Sequence, residues 1–593
     1  MKKITKFFTL FVLPMLAFVL LVACGDTSEE GSTGSETESG QVADGTYEGT
    51  ADGYVGDITV KVTFENGEIT NVESDHEETA TIGGDAISSM SEEVVDNQSI
   101  NVDTVSGATV SSDAFLVALT AALEATGASL DEYSSEVSKE TTEVEDIETD
   151  IVIIGAGGAG LTAAIEAAEH GADVVVLEQM PIIGGNTNKA TGGMNASETS
   201  VQKEKGIEDS NEVFYNDTLE GGHGLNDPEL LSTMVENSAE ALDWLNELDA
   251  GLDDVSFSGG ASFSRIHKPL DGSAVGPLII QTLVDRLEEL EVPIMLNSKV
   301  TDIVEDNDQI SGVEVTTTDG QEFTVTSKAV IIATGGFGSN TDLIAKYDEI
   351  KAQFNSTNHS GADGSGITMG EDVGADTIHM DQIQTHPTTN PENGDLYTEG
   401  VRGDGGILVN KEGVRFTDEL LTRDVVSEAI LNQTDSVAYL TVSQNIADLN
   451  KALQGYIDNG LATEGETIED LANELDMDPS VLEETIQTYN DGVASGNDTD
   501  QGRTSLSNSL DAGPFFAIPV TPGIHHTMGG LRINTLSEVI TADEEPIPGL
   551  YAAGEVTGGI HGGNRIGGNA VLDIVVFGRI AGQNAAEYIN TLN

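Results

Sequence analysis

Apolar and polar residues alternate along two short stretches near the N-terminal end of the chain. Residues 58–64 alternate in the manner of a half-buried strand, Glu65-Asn66-Gly67-Glu68 predicts a tight hairpin turn, and residues 69–72 predict the returning strand. A helix-like apolar run follows at 114–125. The pattern predicts a small α+β domain over residues 45–129.

A second pattern begins at residue 149, where apolar residues form uninterrupted runs. Ile151-Val152-Ile153-Ile154 predicts a buried parallel strand, residues 161–170 an alanine-rich helix, and residues 173–177 a second strand. This order of strand, helix and strand predicts an α/β fold of the Rossmann type. Its later elements are predicted at residues 293–296, 310–317, 329–333, 550–553 and 570–588.

The alternation of strands and helices is lost in one long internal region. Helical patterns appear there at residues 468–475 and 479–492. We predict an inserted α+β capping domain at 375–524, between the two parts of the Rossmann-like domain at 149–374 and 525–593. The acidic stretch 130–148 has few apolar residues and is predicted to be a linker.

The first residues have the order of an export signal. Residues 1–23 combine three lysines with an apolar run, and Leu21-Val22-Ala23-Cys24 resembles the lipobox of bacterial lipoproteins. We expect lipid attachment at Cys24, a flexible linker at 24–44, and a location on the outer face of the cell membrane, with membrane contact only through the lipid. The alternative is an uncleaved anchor, because 17 apolar residues reach the lower limit for a membrane span.

Charge and cysteine content exclude several functions. The chain has 103 acidic residues against 24 lysines and arginines, a formal net charge of -79, so no basic patch for nucleic acid is expected. Cys24 is the only cysteine, which excludes disulfides, thiolate catalysis and cysteine-ligated metal or haem in the mature protein. Several of the nine arginines lie beside glycine-rich turns, which indicates a local anion site.

A glycine-rich turn predicts a dinucleotide site. Gly155, Gly157 and Gly160 give the GxGxxG spacing between the predicted strand and helix, where backbone amides bind a pyrophosphate. Glu178 closes the second strand, at the position from which an acid bonds ribose hydroxyls. The alternative is a glycine-rich turn without a ligand.

Four further segments resemble the FAD-binding segments of the fumarate reductase and succinate dehydrogenase flavoprotein family. They are Gly184-Gly185-Asn186-Thr187, Ala333-Thr334-Gly335-Gly336, Gly361-Ala362-Asp363-Gly364 and Ala552-Ala553-Gly554-Glu555. The resemblance implies that FAD contacts Gly185, Asn186, Thr187, Asp363 and Glu555. Members linked to membrane quinols attach FAD through a histidine where this chain has Asn186-Thr187, so non-covalent FAD is expected. No second GxGxxG unit follows, so a nicotinamide site is not expected.

A second flavin is implied in the small domain. Asp103-Thr104-Val105-Ser106-Gly107-Ala108-Thr109 resembles the attachment sequence of FMN-binding domains, in which a flavin transferase joins FMN to the last threonine through a phosphoester. The resemblance extends to His76-Glu77-Glu78-Thr79 and Gln98, and it implies covalent FMN on Thr109. The alternative is a helix N-cap, which the same string would also form.

From residue 150 onwards the chain resembles soluble fumarate reductases of the flavocytochrome c type. The segments that carry this resemblance are His386-Pro387-Thr388, Thr398-Glu399-Gly400-Val401-Arg402-Gly403, Thr422-Arg423-Asp424, His525-His526-Thr527-Met528-Gly529-Gly530 and Asn564-Arg565-Ile566-Gly567-Gly568-Asn569.

The resemblance implies a role for each residue. Arg565 and His525 would bind one carboxylate of a small dicarboxylate, and His386 and Thr398 the other. Arg423 would be the proton donor, with Glu399 and Arg402 as its relay. Urocanate reductases lose the pair His386 and Thr398, whereas Leu396 replaces a methionine common in fumarate-specific members. Taken alone, each of these residues has an alternative, purely structural role: an arginine that fixes a turn, a buried imidazole, or an ordinary ion pair.

The resemblance implies an exported fumarate reductase of anaerobic respiration. Electrons would pass from a membrane donor to FMN, then to FAD, and then by hydride transfer to fumarate, giving succinate. Two alternatives remain: reduction of another enoate, such as urocanate or an acrylate-type acid, and a flavin electron shuttle without turnover.

Overall fold

The computed structural model of the protein describes residues 42–105, 107–135, 144–257, 259–307 and 309–592. The predicted signal segment, Cys24 and most of the first predicted linker lie outside these ranges. Within the ranges, no helix combines the length and the apolar character required to cross a bilayer. Buried apolar side chains of the described residues form three separate clusters.

The N-terminal cluster belongs to a small α+β domain. Its antiparallel sheet has the order β1-β2-β3, with two helices packed against it. The elements are β1 (Gly45–Asp52), β2 (Asp57–Glu65), β3 (Glu68–Asp75), α1 (Asp85–Asn97) and α2 (Thr109–Glu124).

The predicted strand and hairpin of this domain are present. The alternate residues of β2, from Ile58 to Phe64, are fully buried, because one face of the strand packs on the helices. Asn66 and Gly67 both have a positive φ, which a tight hairpin turn requires. Tyr133 is buried in the same cluster, so packing extends four residues into the predicted second linker.

A Rossmann-like domain follows. The strands of its first part are β4 (Ile147–Glu148), β5 (Ile151–Ile154), β6 (Val174–Leu177), β7 (Met194–Asn195), β8 (Asp254–Ser256), β9 (Ile266–Lys268), β10 (Ile294–Met295), β11 (Ser298–Asp306), β12 (Gln309–Thr317), β13 (Glu322–Thr326) and β14 (Ala329–Ile332). The helices are α3 (Gly158–Glu169), α4 (Ser200–Glu204), α5 (Asn211–Gly221), α6 (Pro228–Glu236), α7 (Ser238–Glu247), α8 (Val275–Glu289), α9 (Thr341–Tyr347) and α10 (Ser365–Asp372).

The capping region and the C-terminal part complete the chain. The capping elements are β15 (Thr377–Ile378), β16 (Ile383–Thr389), β17 (Ile407–Val409), β18 (Ala438–Ser443), β19 (Thr463–Gly465), β20 (Phe515–Thr527), α11 (Gly400–Gly403), α12 (Arg423–Leu431), α13 (Gln444–Ala447), α14 (Lys451–Asp458), α15 (Ile468–Glu474) and α16 (Pro479–Ser495). The last elements are β21 (Gly530–Leu531), β22 (Glu538–Ile540), β23 (Pro546–Ala552) and α17 (Asn569–Leu592).

The central sheet has the order β10-β6-β5-β14-β23-β22 and is parallel except at β22. All four residues of β5, β6 and β14 are buried, as expected of strands that are covered on both faces. Helix α17 packs closely on α3, because a Cβ on Gly582 would lie 2.3 Å from the Ala163 carbonyl oxygen. The sequence did not predict the separate sheet β11-β12-β13-β4, which contains the strand expected at 310–317.

The capping region has its own antiparallel sheet and its own buried cluster. The sheet has the order β16-β20-β18-β17, and β19 also pairs with β20. Strand β20 continues to Thr527, so the expected domain boundary between residues 524 and 525 falls inside a strand. His525 and His526 therefore lie on the last residues of the capping sheet.

Phe115 tests whether the small domain folds on its own cluster. Its side chain is fully buried in the N-terminal cluster, and the other two apolar clusters share no residue with this cluster. We expect Phe115→Ala to destabilise the small domain by about 3–5 kcal/mol. Differential scanning calorimetry should show an earlier transition for this domain and an unchanged main transition. Phe115→Leu should lower the stability of the small domain much less. A uniform shift of all unfolding transitions would contradict independent folding of this domain.

Candidate active site

A cleft opens at the carboxyl ends of the central strands; together with the open solvent at its mouth, its empty space is about 790 Å³. This is the edge at which ligands bind in open α/β sheets. Its wall includes the ends of β5 and β6 and the turns that follow β14 and β23. Among the lining residues are Gly155, Gly157, Glu178, Gly185, Asn186, Thr187 and Glu555.

The glycine-rich turn is shaped for a phosphate group. Gly155 has φ +106°, and a Cβ on Gly160 would lie 2.0 Å from the Gly155 carbonyl oxygen. Helix α3 begins at Gly158, directly after the turn, and its first residues Gly158 and Ala159 line the cleft, so the N-terminal end of the helix faces the cleft. Glu178 accepts hydrogen bonds from the amides of Ala156 (2.8 Å) and Met180 (2.9 Å), and burial raises its pKa.

Of the other predicted cofactor residues, Asn186 and Thr187 line the cleft, whereas Asp363 lies beside it. Asn186 accepts a hydrogen bond from the His359 amide (2.9 Å), and Thr187 accepts one from the Gly158 amide (3.1 Å). Asp363 is not among the lining residues of the cleft. Its carboxylate accepts from the Ser365 amide (2.9 Å) at the start of α10, beside the wall, so its contact with a cofactor stays a prediction.

The cleft fits a dinucleotide. The buried atoms Thr334 Oγ1 and His359 Nε2 belong to lining residues and have no hydrogen-bond partner among the described residues. Burial lowers the pKa of His359 to about 4, so its ring is neutral and offers one donor and one acceptor. A polar ligand of the size of FAD would fill the cleft and supply the missing partners.

A cluster of arginines lies in the capping region. Both oxygens of Glu399 accept hydrogen bonds from Arg423, from Nε at 2.6 Å and from Nη2 at 3.0 Å. Arg402 Nη2 donates to the same carboxylate at 3.2 Å. Burial acts to raise the pKa of Glu399, but Arg423 and Arg402 outweigh it and hold that pKa well below the usual range. Glu399 is therefore ionised and joins the two arginines.

Two histidines lie beside this cluster on neighbouring strands. His386 is on β16 and His525 on β20, with ring centroids 5.2 Å apart. His386 Nε2 lies 3.8 Å from Glu399 Oε1. Burial, and then the charge of Arg423, lowers the pKa of both histidines well below 6.5. Both rings are therefore neutral in the free protein at pH 7.

Arg565 approaches from the Rossmann-like domain. Gln384 connects it with Arg423, because its amide accepts from Arg423 Nη1 at 3.1 Å and donates to the Arg565 carbonyl at 2.8 Å. Burial, followed by the charge of Arg423, lowers the pKa of Arg565 to about 9. Its buried Nε has no hydrogen-bond partner within the described part of the chain. Thr398 adjoins Glu399, and its amide donates to the Tyr456 hydroxyl at 3.1 Å.

The structure thus brings together Arg423, Glu399, Arg402, His386, His525 and Arg565, from segments up to 179 positions apart (386 to 565), whereas Thr398 Oγ1 lies 3.4 Å from Thr191 Oγ1 and its contact with a substrate stays a prediction. The sequence did not single out three residues that hold these side chains in place. Gln384 bonds Arg423 and Arg565, and Thr357 and Asn358 bond His525. Gln384 lies two positions before His386 on one strand, and this spacing places both on the same face. This two-residue spacing is the sequence signal from which the position of Gln384 could have been predicted. Thr357 and Asn358 lie in a polar stretch without a recognisable pattern.

The predicted FMN attachment site lies at the start of α2, after a loop whose Gly107 lies close to Ile182 of the Rossmann-like domain. Thr109 is exposed at the first position of α2, and the N-cap position is Ala108, whose side chain cannot cap. A Cβ on Gly107 would lie 2.7 Å from Ile182 Cδ1, two residues before Gly184. Glu78 fixes this end of the domain, because it accepts from the Tyr54 amide (2.7 Å) and from Ser111 Oγ (2.6 Å).

Comparison with known protein families gives two matches. The family described as FAD binding domain matches residues 150–571, and the family described as FMN-binding domain matches residues 53–124. The predictions of FAD-binding and FMN-binding domains are confirmed.

Individual relatives agree with these matches. The chain is 41% identical over 535 residues to an NADH:fumarate oxidoreductase of Klebsiella pneumoniae, covering 90% of this chain but only 57% of that protein. It is 37% identical to a urocanate reductase of Eggerthella lenta, covering 95% of this chain and 96% of that protein.

A solved structure shares the fold. The open conformation of a flavocytochrome c3 fumarate reductase is 39% identical, with a TM-score of 0.66 over 77% of this chain and 83% of that one. The chain therefore belongs to the fumarate reductase flavoprotein family of the flavocytochrome c type, and it carries an FMN-binding domain ahead of the FAD-binding fold.

Proposed function

We propose that the protein is an exported enoate reductase that converts fumarate into succinate. Electrons from a membrane donor enter through FMN joined to Thr109 and reach FAD held without a covalent bond. A lipid on Cys24 keeps the enzyme at the outer face of the membrane, and a flavin transferase attaches the FMN. The meeting of Arg423, Arg565, His386 and His525 in one pocket beside the cleft carries the proposal.

The charge of this pocket suits a dianion. The chain as a whole repels anions, with a formal net charge of -79. After burial, the charge of Arg423 has the largest effect on the pKa of Arg565, His386 and His525, ahead of each nearby carboxylate (Glu399, Glu555 and Asp573), so positive charge dominates at these side chains. Such a local excess in a partly desolvated site binds a small dicarboxylate in spite of the surrounding field.

The donors of the pocket are divided between two ends. Arg565 and His525 bind one carboxylate, and the unpartnered Nε of Arg565 supports this assignment. His386 and Thr398 bind the other carboxylate. Donors on separate elements turn this carboxylate out of the plane of the double bond, which lowers conjugation and makes the alkene more electrophilic. Fixed cations then stabilise the charge of the transition state.

Arg423 supplies the proton. Reduced FAD in the cleft would supply the hydride to one alkene carbon, and the Arg423 guanidinium gives a proton to the neighbouring carbon, so that fumarate becomes succinate. A free arginine does not lose its proton near neutral pH. Here the ionised Glu399 accepts from both Arg423, at 2.6 and 3.0 Å, and Arg402, at 3.2 Å, so a proton passes from Arg402 through the carboxylate to Arg423 in the same step, and a proton from solvent restores Arg402. No neutral arginine accumulates.

The position of Thr109 supports electron entry from the small domain. Thr109 is exposed and so accessible to a transferase, and Gly107 in the loop before it lies close to Ile182, three residues before Gly185 of the cleft lining. FMN at this site would supply single electrons to FAD.

Urocanate is the second candidate substrate. The urocanate reductase of Eggerthella lenta matches over nearly its whole length, including both domains. Fumarate is favoured because His386 and Thr398 offer donors for a second carboxylate, which urocanate lacks at that end.

A substrate panel separates these candidates. With reduced viologen as the electron source, we expect fumarate to be reduced with the highest kcat/KM among fumarate, urocanate and acrylate. His386→Ala should raise the KM for fumarate by about ten-fold or more, because one buried hydrogen bond to a charged group is lost. The KM for acrylate, which has one carboxylate, should change less. Preference for a monocarboxylate by the unmodified enzyme would remove fumarate as the substrate.

Replacement of Arg423 tests the proton donor. We expect Arg423→Ala to lower kcat for fumarate by about 10³-fold or more, because the proton source and a transition-state cation are both lost. FAD and FMN content, read from the visible spectrum, should stay unchanged. Arg532→Ala is the matched control, since Arg532 pairs with Asp376 away from the pocket. Unchanged turnover in Arg423→Ala would refute the assigned role.

Replacement of Thr109 tests the FMN linkage. We expect Thr109→Ala to leave no fluorescent flavin on the denatured polypeptide, whereas the FAD released by denaturation stays at its usual amount. Thr120→Ala on the same helix is the control, because its hydroxyl bonds the Leu116 carbonyl. Flavin that stays attached to the Thr109→Ala chain would show that another residue carries it.

A further inference from the structure

The segment at residues 355–359 lies between the dinucleotide cleft and the arginine cluster. The Thr357 amide donates to the Ile524 carbonyl at 2.8 Å, on the strand that carries His525. The Thr357 carbonyl accepts from Lys189 Nζ at 3.1 Å, at the end of the turn that lines the cleft. Thr357 is buried, and its backbone is fixed from both sides.

This backbone places a hydroxyl on His525. Thr357 Oγ1 lies 2.8 Å from His525 Nδ1. The charged and titratable groups that face His525 are Arg423, His386, Arg565 and Glu399. Burial and the cations among these groups lower the pKa of His525 well below 6.5. Its ring therefore carries one N–H, and only one of its two nitrogens can donate.

A carboxylate accepts hydrogen bonds and cannot donate them. If the single proton of His525 were on Nδ1, the lone pair of Nε2 would face the substrate carboxylate and repel it. If the proton is on Nε2, Nδ1 becomes an acceptor that requires a donor. The hydrogen bond at one ring nitrogen decides which tautomer is present.

We propose that Thr357 is a positioning residue for His525: its hydroxyl donates to Nδ1 and so keeps the proton on Nε2, where it meets the substrate carboxylate. This inference rests on the proposed function, in which His525 binds a carboxylate. Thr357 itself does not touch the substrate. The backbone bonds to Ile524 and Lys189 hold the hydroxyl in place before the substrate arrives, so binding does not have to order it.

Binding of fumarate to the oxidised holoenzyme tests this inference, because oxidised flavins cannot reduce it. Thr357→Val has nearly the same shape and lacks the hydroxyl. We expect its Kd for fumarate, from isothermal titration calorimetry, to be about 10- to 100-fold higher, since buried Nδ1 loses its donor. KM should rise in parallel, and kcat should change less. Thr357→Ser keeps the hydroxyl and should bind within about three-fold of the unmodified enzyme.

A double-mutant cycle separates positioning from general support of the fold. In a His525→Ala background, Thr357→Val should weaken fumarate binding no further, because its effect acts through the imidazole. Thr441→Val, at a buried threonine of β18 that bonds the Tyr439 carbonyl, should leave Kd and flavin content unchanged. If Thr357→Val is insoluble, Thr357→Ala removes the same hydroxyl and must give the same loss.

Each outcome decides the matter. Unchanged fumarate binding in Thr357→Val, a Thr357→Ser variant as weak as Thr357→Val, or additive losses in the cycle would overturn the role of Thr357 and leave the proposed function standing. Absence of fumarate binding and reduction in the unmodified holoenzyme would overturn both.

Discussion

The carboxylate of Glu399 is the interaction on which the pocket depends. It accepts two hydrogen bonds from Arg423 and one from Arg402, and it lies near His386. Guanidinium groups removed from water cost several kcal/mol each unless an anion and hydrogen bonds compensate them. Glu399 compensates part of the charge of Arg423 and Arg402, whereas Glu555 and Asp573 also act on Arg565, whose Nε has no hydrogen-bond partner among the described residues. The remaining charge is then available to an anionic ligand.

Behind this carboxylate, the capping region is stiffened by a second, fully buried ion-pair network. Arg402 Nη1 donates to the Glu419 carbonyl at 2.7 Å, and the Glu419 side chain accepts from Arg415 at 2.8 Å and from Arg503 at 3.2 Å. These four side chains are 0–3% exposed. Because each is paired, the network fixes the backbone that carries Arg402 and limits its freedom.

The two ligand sites share structural parts. Strand β20 carries His525 near its end. The amide of Thr527, the last residue of this strand, donates to Glu555 of the cleft wall at 2.9 Å. Asn358 accepts from Asn186 at 2.6 Å and donates to the His525 carbonyl at 3.3 Å. The dinucleotide cleft and the cationic pocket are therefore held by common hydrogen bonds. A group bound in the cleft therefore lies against residues that also hold the pocket.

The sequence by itself determined the features that local spacing encodes. Apolar runs and alternation gave β2, β5, α3 and β14, because side-chain periods of 2.0 and 3.6 residues follow from the backbone alone. The glycine turn was equally local, since the positive φ of Gly155 and the close packing of Gly160 depend on adjacent residues. Short motifs also identified the arginines and histidines of the pocket.

Only the tertiary structure decided how these residues meet and which others hold them. Gln384 bonds Arg423, 39 positions away, and Arg565, 181 positions away, and Thr357 reaches His525 across 168 positions. Thr357 has no local pattern, and the spacing of Gln384 from His386 indicates only a shared strand face, because both roles come from strands and turns that pair across the capping region and the Rossmann-like domain. Burial and neighbouring charge, which set the neutral state of His525, likewise exist only after the chain has folded.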